Sequence, residues 1–334
     1  MRCPTLKDLS TPPKGKAGWP WTEESKPLPD KMPDGHSWPR ITVVTPSFNQ
    51  GQFLEETIRS ILLQGYPNLE YFIFDGASTD NSVEVIKKYA PWVSYWVSEP
   101  DSGQSDAISR GLNRGTGQVA TWINSDDVLC KDALVTHASR MAFDDNVVYA
   151  GICIYIDVES RPVRTHQGRI HSLEDLLRIK TFWRAGGNLV QPETIFPLKL
   201  ALDVGGINKN LHYTMDYEFW GKLLLAGARI QYTDIPFGML RQHALQKTAN
   251  GLRTTREMLD VASSLISQAG LLSDDIKNQI SEGLESYWIE YQEQSWKGSG
   301  RLARIGLPVP LVMQLRKFRN KLSLESWKTI RRRM

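Results

Sequence analysis

ITVVTPSFNQGQFLEETIRSILLQGYPNLEYFIFD, residues 41–75, changes its hydrophobic period twice. ITVVT is a short apolar run rich in β-branched residues and reads as a buried strand. PSFNQG follows as a loop. In QFLEETIRSILLQ the apolar residues Phe53, Leu54, Ile58, Ile61 and Leu62 recur at helical spacing. LEYFIFD returns to strand and stops on Asp75. A strand–helix–strand unit of this kind joins parallel strands.

The same alternation continues downstream. GASTDNS is a loop, SVEVIKKYA a helix and VSYWVSEP a third strand. QSDAISRGLNR is helical, closed by Gly115 and Gly117, and QVATWI is a fourth strand that ends on NSDD. The prediction is an α/β fold, a mostly parallel sheet with helices on both faces. Ligands of such sheets bind beyond the carboxyl ends of the strands. Those ends carry Ser47 and Asn49, Asp75 and Asp80, Glu99 and Asp101, then Asn124, Asp126 and Asp127. One acidic loop says little; four polar strand ends on one edge point to a site.

Beyond Lys131 the alternation weakens. NVVYAGICIYID reads as one or two strands, HSLEDLLRIK as a short helix and NLVQPETIFP as extended, its prolines suiting a sheet edge. TMDYEFWGKLLLAG is a helix with Gly227 as its stop. ARIQYTD and FGMLRQH read as closing strands. Residues 251–296 hold one or two long amphipathic helices, and the tail, about 309–333, is basic and helical in pattern. Residues 1–39 contain eight of the 18 prolines and read as an irregular extension, with GWPW (Gly18–Trp21) as an aromatic anchor. The expected organisation is therefore an extension at 1–39, a central domain at 40–250 and a helical C-terminal region at 251–334.

Bulk properties bound the function. Hydrophobic residues make up 41% and charged residues 23% of the 334 positions, a balance that supports a sizeable core. Three scattered cysteines form neither a disulfide framework nor a zinc signature. No run of about 18 apolar residues occurs, and the N-terminus lacks the apolar segment of a secretion signal. A cytoplasmic protein is expected. From Arg301 onward the chain carries +9, leaving −6 on the first 300 residues of a chain whose net charge is +3. A basic tail on a mildly acidic body argues against a nucleic-acid binder and for contact with an anionic surface.

Each candidate residue has a bland alternative. Asn124-Ser125-Asp126-Asp127 can hold a divalent cation that bridges to a diphosphate, because Mg²⁺ and Mn²⁺ favour carboxylates plus phosphate oxygens. The alternative is a cap for a helix starting near Lys131. Asp75 can accept from a nucleobase N–H or a ribose hydroxyl, with Gly76 allowing close approach; Asp80 reads more simply as a helix cap. Asp106 and Arg110 lie one helical turn apart. They form either an ordinary ion pair or an Arg110 held beside a diphosphate by Asp106. Asp216 and Glu218 face apart on one helix, so one of them can act as a general base. His243 is either a packed histidine or a metal ligand.

These segments resemble family 2 nucleotide-sugar glycosyltransferases, which have the GT-A (Rossmann-like) fold. The resemblance runs through VTPSFNQGQFLEETIRSILLQGYPNLEYFIFDGASTDNS, SEPDSGQSDAISRGLNRGTGQVATWINSDD, QPETIFP, GGINKNLHYTMDYEFWGKLLLAGA and RQHALQKT, about residues 40–248. It implies that Thr45, Pro46, Ser47, Phe48 and Asn49 hold base and ribose. It implies that Asp75 reads the nucleobase, that Asp106 and Arg110 lie near base and diphosphate, and that Asn124–Asp127 is the metal motif. Asp216 matches the catalytic base, and His243 a histidine that joins the metal in some members. Two positions depart from the family pattern: Asn124 stands where Asp is common, and Met215 where Glu often precedes the base.

The expectation is an inverting, Mn²⁺- or Mg²⁺-dependent glycosyltransferase. The donor is UDP- or GDP-linked, bound by Thr45–Asn49, Asp75, Gly76, Asp106, Arg110 and Asn124–Asp126. Asp126, Asp127 and His243 hold the metal, and Asp216 is the base. The acceptor is a saccharide or a lipid-linked saccharide, as in cell-surface polysaccharide assembly. The basic tail either brings the enzyme to the inner face of the membrane or is a solvated terminal helix. A nucleotidyltransferase on a similar sheet and a non-catalytic sugar-nucleotide-binding scaffold are the alternatives. The first is disfavoured because no glycine-rich, Lys-bearing triphosphate loop follows the first strand.

Overall fold

The structure is a computed structural model, and it describes residues 3–298 apart from 142–143, 244–245, 247–250 and 271. The basic tail lies outside the described residues. The first half follows the alternation read from the chain. Strand β1 (Ile41–Ser47) leads to α1 (Gly51–Leu62), β2 (Leu69–Asp75), α2 (Ser82–Tyr89), β3 (Tyr95–Ser98), α3 (Gln104–Arg114) and β4 (Val119–Trp122). These four strands pair in parallel in the order β3-β2-β1-β4, with Ser47 level with Asp75 and Asp75 level with Ser98. The register puts three polar strand ends at one edge, as expected from the period of the sequence.

The second half of the sheet is mixed. It comprises β5 (Val128–Leu129), β6 (Val147–Ile156), β7 (Pro162–His166), β8 (Thr194–Pro197) and β9 (Arg229–Arg241). The order continues β4-β8-β6-β9-β5, with β7 on β6. Strand β8 therefore sits inside the sheet, antiparallel to both β4 and β6, and is not the edge its prolines suggest. Pro192 lies in a 3₁₀ turn before the strand and Pro197 is its last residue, so neither removes an interior ladder bond. The two closing strands are one, β9. Pro236 is accommodated where the pairing with β6 shifts register, the usual place for a residue that cannot donate.

Helix α4 (Ala133–Ala138) follows β5, with Asp132 at its cap position. Thus the acidic turn at 124–127 runs into a strand and does not cap a helix. Helices α5 (Leu173–Leu177), α6 (Leu198–Asp203) and α7 (Met215–Leu225) come next. A π-helical stretch, Ile179–Gly187, kinked at Gly186 (φ 93°), follows α5 after Arg178. Two helices then follow, α8 (Gly251–Gln268) and α9 (Asp274–Gly298). Residues up to Ile280 form one compact unit and the remainder a second, of which the end of α9 is the described part.

Helix α1 is covered on nearly every side. Leu54, Ile58 and Ile61 are fully buried, and so is Arg59. The Arg59 guanidinium donates to the carbonyls of Ser10, Pro20 and Trp21 and to the Tyr89 hydroxyl, at 2.9–3.2 Å. A buried cation thereby fastens the irregular N-terminal segment over the helix. Leu9, Trp21 and Trp38 are buried with it, and Trp19 donates to the Leu129 carbonyl at 2.8 Å. Arg59→Met leaves those carbonyls without donors in an apolar setting, at a cost of about 3 kcal/mol. The expected result is a lower denaturant midpoint with unchanged slope, and faster proteolysis between residues 10 and 21.

Candidate active site

Most of the first-strand segment is internal. Thr45, Pro46 and Ser47 are buried, and the Tyr71 hydroxyl donates to the Thr45 hydroxyl at 3.1 Å. Phe48 is the exception: it is 61% exposed at the carboxyl end of β1, an uncovered aromatic face on the rim of the site. Asn49 adopts a left-handed conformation, φ 51°. Its Oδ1 accepts from the Thr79 N–H at 2.8 Å, joining the loops after β1 and β2.

Asp75 is 2% exposed. Oδ1 accepts from the hydroxyls of Ser47 and Ser78, and Oδ2 from the Ser78 N–H and the Ser98 hydroxyl, at 2.5–2.9 Å. Its four bonds tie the ends of β1, β2 and β3 together, so in this structure Asp75 does not offer a free oxygen to a base. Asp101 is less buried than Asp75. A Cβ at Gly76 would lie 3.1 Å from the Asp101 Oδ2, a tight approach between the two loops. Asp80 is structural: it accepts from the Gly51 N–H at the start of α1 and the Ser82 N–H at the start of α2.

Asp106 and Arg110 form no close ion pair, and the Arg110 charge is a minor influence on the Asp106 carboxyl. Asp106 binds Lys209 at 2.8 Å, an interaction that holds its carboxyl below the ordinary range despite partial burial. Arg110 pairs with Glu99 and lies over the Phe74 ring, 5.1 Å from its centroid. Arg110 is thus held by the strand end and not by the helical turn.

The acidic turn divides its two carboxylates. Asp127 is 3% exposed and points inward. Its Oδ1 accepts from the Arg241 N–H at 3.0 Å and its Oδ2 from the Asn124 amide at 3.1 Å. Burial first, and then the charge of Asp126, push its carboxyl well above the usual range. Asn124 is explained by this contact: it donates to Asp127 where a third aspartate would repel it. The Asn124 Oδ1 accepts from Gln104 at 2.7 Å, linking the turn to α3. Ser125 is buried, and its carbonyl accepts from the Thr57 hydroxyl. Asp126 points the other way, and its Oδ2 lies 2.8 Å from His243 Nε2.

Arg241 builds this turn. It is fully buried, donates to the Asp126 carbonyl at 2.8 Å and to the Ser160 hydroxyl at 2.8 Å, and pairs with Glu56 at 3.1 Å. Its guanidinium lies over Phe53, 4.7 Å from the ring centroid. The sequence reading missed it, although a lone arginine closing an apolar strand two residues before His243 was a signal.

Among the described residues no three Asp, Glu, His or Cys side chains converge as a metal cage. Of the expected ligand set, Asp127 is withdrawn into the protein, whereas Asp126 and His243 lie side by side. A carboxylate oxygen and an imidazole nitrogen are donor types that suit Mn²⁺.

Asp216 sits in the first turn of α7 and is half-buried. Its Oδ1 accepts from the Tyr217 N–H at 2.8 Å. Burial, with a smaller contribution from the Glu257 charge, pushes its carboxyl up to about 6. A carboxylate near that value is suited to take a proton at neutral pH. Helix α7 is placed against the strand ends by Trp220, stacked on Trp122 of β4 with centroids 5.9 Å apart. Glu218 lies on the other face, with Asn208 and Lys222.

Comparison with known proteins gives the same fold. Residues 42–199 match the family model described as glycosyl transferase family 2. An uncharacterized glycosyltransferase of Rickettsia prowazekii is 23% identical over 231 residues, 68% of this chain and 72% of that one. The putative teichuronic acid biosynthesis glycosyltransferase TuaG of Bacillus subtilis is 32% identical over 99 residues, 29% of this chain and 39% of that one. Several other curated relatives are matched over 31% to 59% of their length. S. aureus TarS 1-349, in complex with UDP-GlcNAc, superposes with a TM-score of 0.55 at 17% identity, over 72% of this chain and 70% of that one. The mannosyltransferase PcManGT of Pyrobaculum calidifontis, in complex with GDP-Man and Mn2+, superposes with a TM-score of 0.52 at 18% identity, over 92% of this chain and 87% of that one.

Proposed function

The chain belongs to glycosyl transferase family 2 and has the GT-A fold, and from that premise we propose an inverting transfer of a sugar from a UDP- or GDP-linked donor to a saccharide or lipid-linked acceptor. The observation that carries this reading is the pairing of Asp126 with His243 at the strand ends, with Asp216 raised to about 6 at the start of α7.

The donor lies over the carboxyl ends of β1 to β4. Phe48 offers its ring to the base, and Asp75, through Ser47, Ser78 and Ser98, keeps the loops of the base pocket in register. Asp126 and His243 would hold Mn²⁺ or Mg²⁺. The cation would supply positive charge beside the leaving diphosphate. Arg241 keeps the Asp126 backbone in place for that task. Asp216 receives the acceptor's hydroxyl proton on Oδ2, since Oδ1 is committed to Tyr217. The acceptor oxygen bonds to the anomeric carbon as the bond from that carbon to the diphosphate breaks. A single displacement of this kind inverts the configuration. A role in cell-surface polysaccharide assembly is supported by the name of one relative, the putative teichuronic acid biosynthesis glycosyltransferase TuaG. Among the described residues no helix is long and apolar enough to cross a membrane. Approach to a membrane surface would fall to the basic tail.

A thermal-shift screen of UDP- and GDP-sugars with and without Mn²⁺ tests the donor class. A ligand that binds only the folded state at about 100 times its Kd adds about 2.7 kcal/mol of stability. The expected result is a shift that needs Mn²⁺ and disappears in Asp126→Ala. No shift with any member of the panel would overturn the donor assignment.

A further inference from the structure

Glu257 lies on α8, beyond the segment 42–199 that matches the family model. Its Oε1 accepts from the N–H groups of Tyr213 and Thr214, at 2.7 and 2.8 Å, and from the Thr214 hydroxyl at 2.9 Å. Its Oε2 accepts from the His212 N–H at 3.0 Å. Three consecutive peptide N–H groups thus converge on one carboxylate, an arrangement that selects for an anion. Thr214 is the cap residue of α7 but gives its hydroxyl to Glu257 and makes no side-chain cap of its own. The carboxylate stands off the positive end of α7, where a negative charge is favoured. Burial works against its charge, yet the hydrogen bonds outweigh burial and hold the group below its ordinary value.

Helix α8 is itself firmly seated. Met258, Leu259, Ala262 and Leu265 are buried. Gly221 of α7 lets the two helices close up, because an added Cβ would lie 2.4 Å from Leu265 Cδ1. A cavity of about 1000 Å³ between these helices is lined by Glu218, Lys222 and Leu225 of α7 and by Glu257 itself on α8. The three α7 residues share one face of that helix, and Asp216, two positions before Glu218, lies on the opposite face. Asp216 does not line this cavity, and the link from α8 to Asp216 is the Glu257 clamp.

We infer that Glu257 is a positioning residue for Asp216, fixing the backbone of residues 212–214 so that the first turn of α7 presents the Asp216 carboxyl to the donor; this rests on Asp216 being the base. The charged groups on the surrounding elements are Arg253, Arg256, Glu257 and Asp260 of α8, Lys209 and His212 of the preceding loop, Asp106 of α3, and Glu218 and Lys222 of α7. Lys209 is paired with Asp106 and Lys222 with Glu218. Glu257 is the one whose charge acts on Asp216.

The test follows release of nucleoside diphosphate from UDP-GlcNAc or GDP-mannose with Mn²⁺, water serving as acceptor. Glu257→Ala is expected to lower kcat by about 10²-fold with donor KM unchanged, since a misplaced catalytic group costs rate and not donor binding. Glu257→Gln keeps a carbonyl acceptor and recovers part of the loss. Both variants move the acidic limb of the rate profile to lower pH, because a negative charge near Asp216 is gone. A purely structural role would reduce active protein and leave the limb in place. A ¹³C titration of the Asp216 carboxyl needs no donor, and its midpoint is expected to fall in Glu257→Gln. An unchanged limb and midpoint in that variant would overturn the inference. If Asp216→Asn keeps the wild-type rate, the base assignment itself fails. If Asp216→Asn is inactive while Glu257→Gln matches wild type in rate and midpoint, the positioning role alone fails.

Discussion

Asp216→Asn is expected to lower kcat by about 10²- to 10⁴-fold, the range for loss of a general base, with donor KM held within about twofold. The substitution keeps the shape of the side chain, and its carbonyl still accepts from the Tyr217 N–H. The loss therefore reports proton transfer and not a displaced helix. In the wild-type protein the rate falls as pH drops below about 6, where Asp216 becomes protonated; in the variant that limb is absent. Stability should move the opposite way. The folded-state value is above the ordinary one, so ionising this half-buried group costs stability as pH rises from about 4 to about 6. Above that window Asp216→Asn removes the penalty and is more stable than wild type by on the order of 2 kcal/mol. A thermal melt at pH 5 and at pH 7.5 checks the sign: the gain belongs to the higher pH. An inactive and destabilised variant at pH 7.5 would count against the assignment.

Arg241→Met is expected to cost about 3–5 kcal/mol, because it leaves Glu56 as an unpaired buried charge. At about 2–4 °C per kcal/mol for a large domain, the melting temperature falls by roughly 10 °C. Three carbonyls, of Asp126, Asp157 and Val158, also lose their donor. The variant should lose Mn²⁺-dependent binding even under conditions where it is folded, since the Asp126 backbone is no longer fixed. Adding Glu56→Gln removes the stranded charge and should recover part of the stability without restoring metal dependence. That double variant separates the fold from the site. Additive losses in the pair would mean that Arg241 and Glu56 do not act together.

The two predictions draw on different kinds of information. The polar edge at the strand ends was legible in residues 41–127, because a period that changes from 2 to 3.6 and back specifies strand, helix and parallel strand. Its acidic turn and the candidate base Asp216 were named from the same reading. The turn's division of labour was not legible. Asp126 and Asp127 are adjacent letters with the same chemistry, and only the pairing of β5 with β9 brings the Arg241 N–H to one and His243 to the other. Asn124 looked like a departure from a metal motif and is instead the donor that keeps a buried carboxylate in place. The pairing of Asp106 with Arg110 was a sound helical-spacing expectation. It was overridden because Glu99 and Lys209 arrive from other elements.

Local pattern alone determined which segments become strands and helices, and which end of the sheet is polar, because both follow from periodicity along the chain. The interior place of β8, the Arg241 hub and the Glu257 clamp came from the tertiary structure. Each joins residues dozens to nearly two hundred positions apart. Such contacts depend on which surfaces the sheet order brings together, and no spacing within one segment records that.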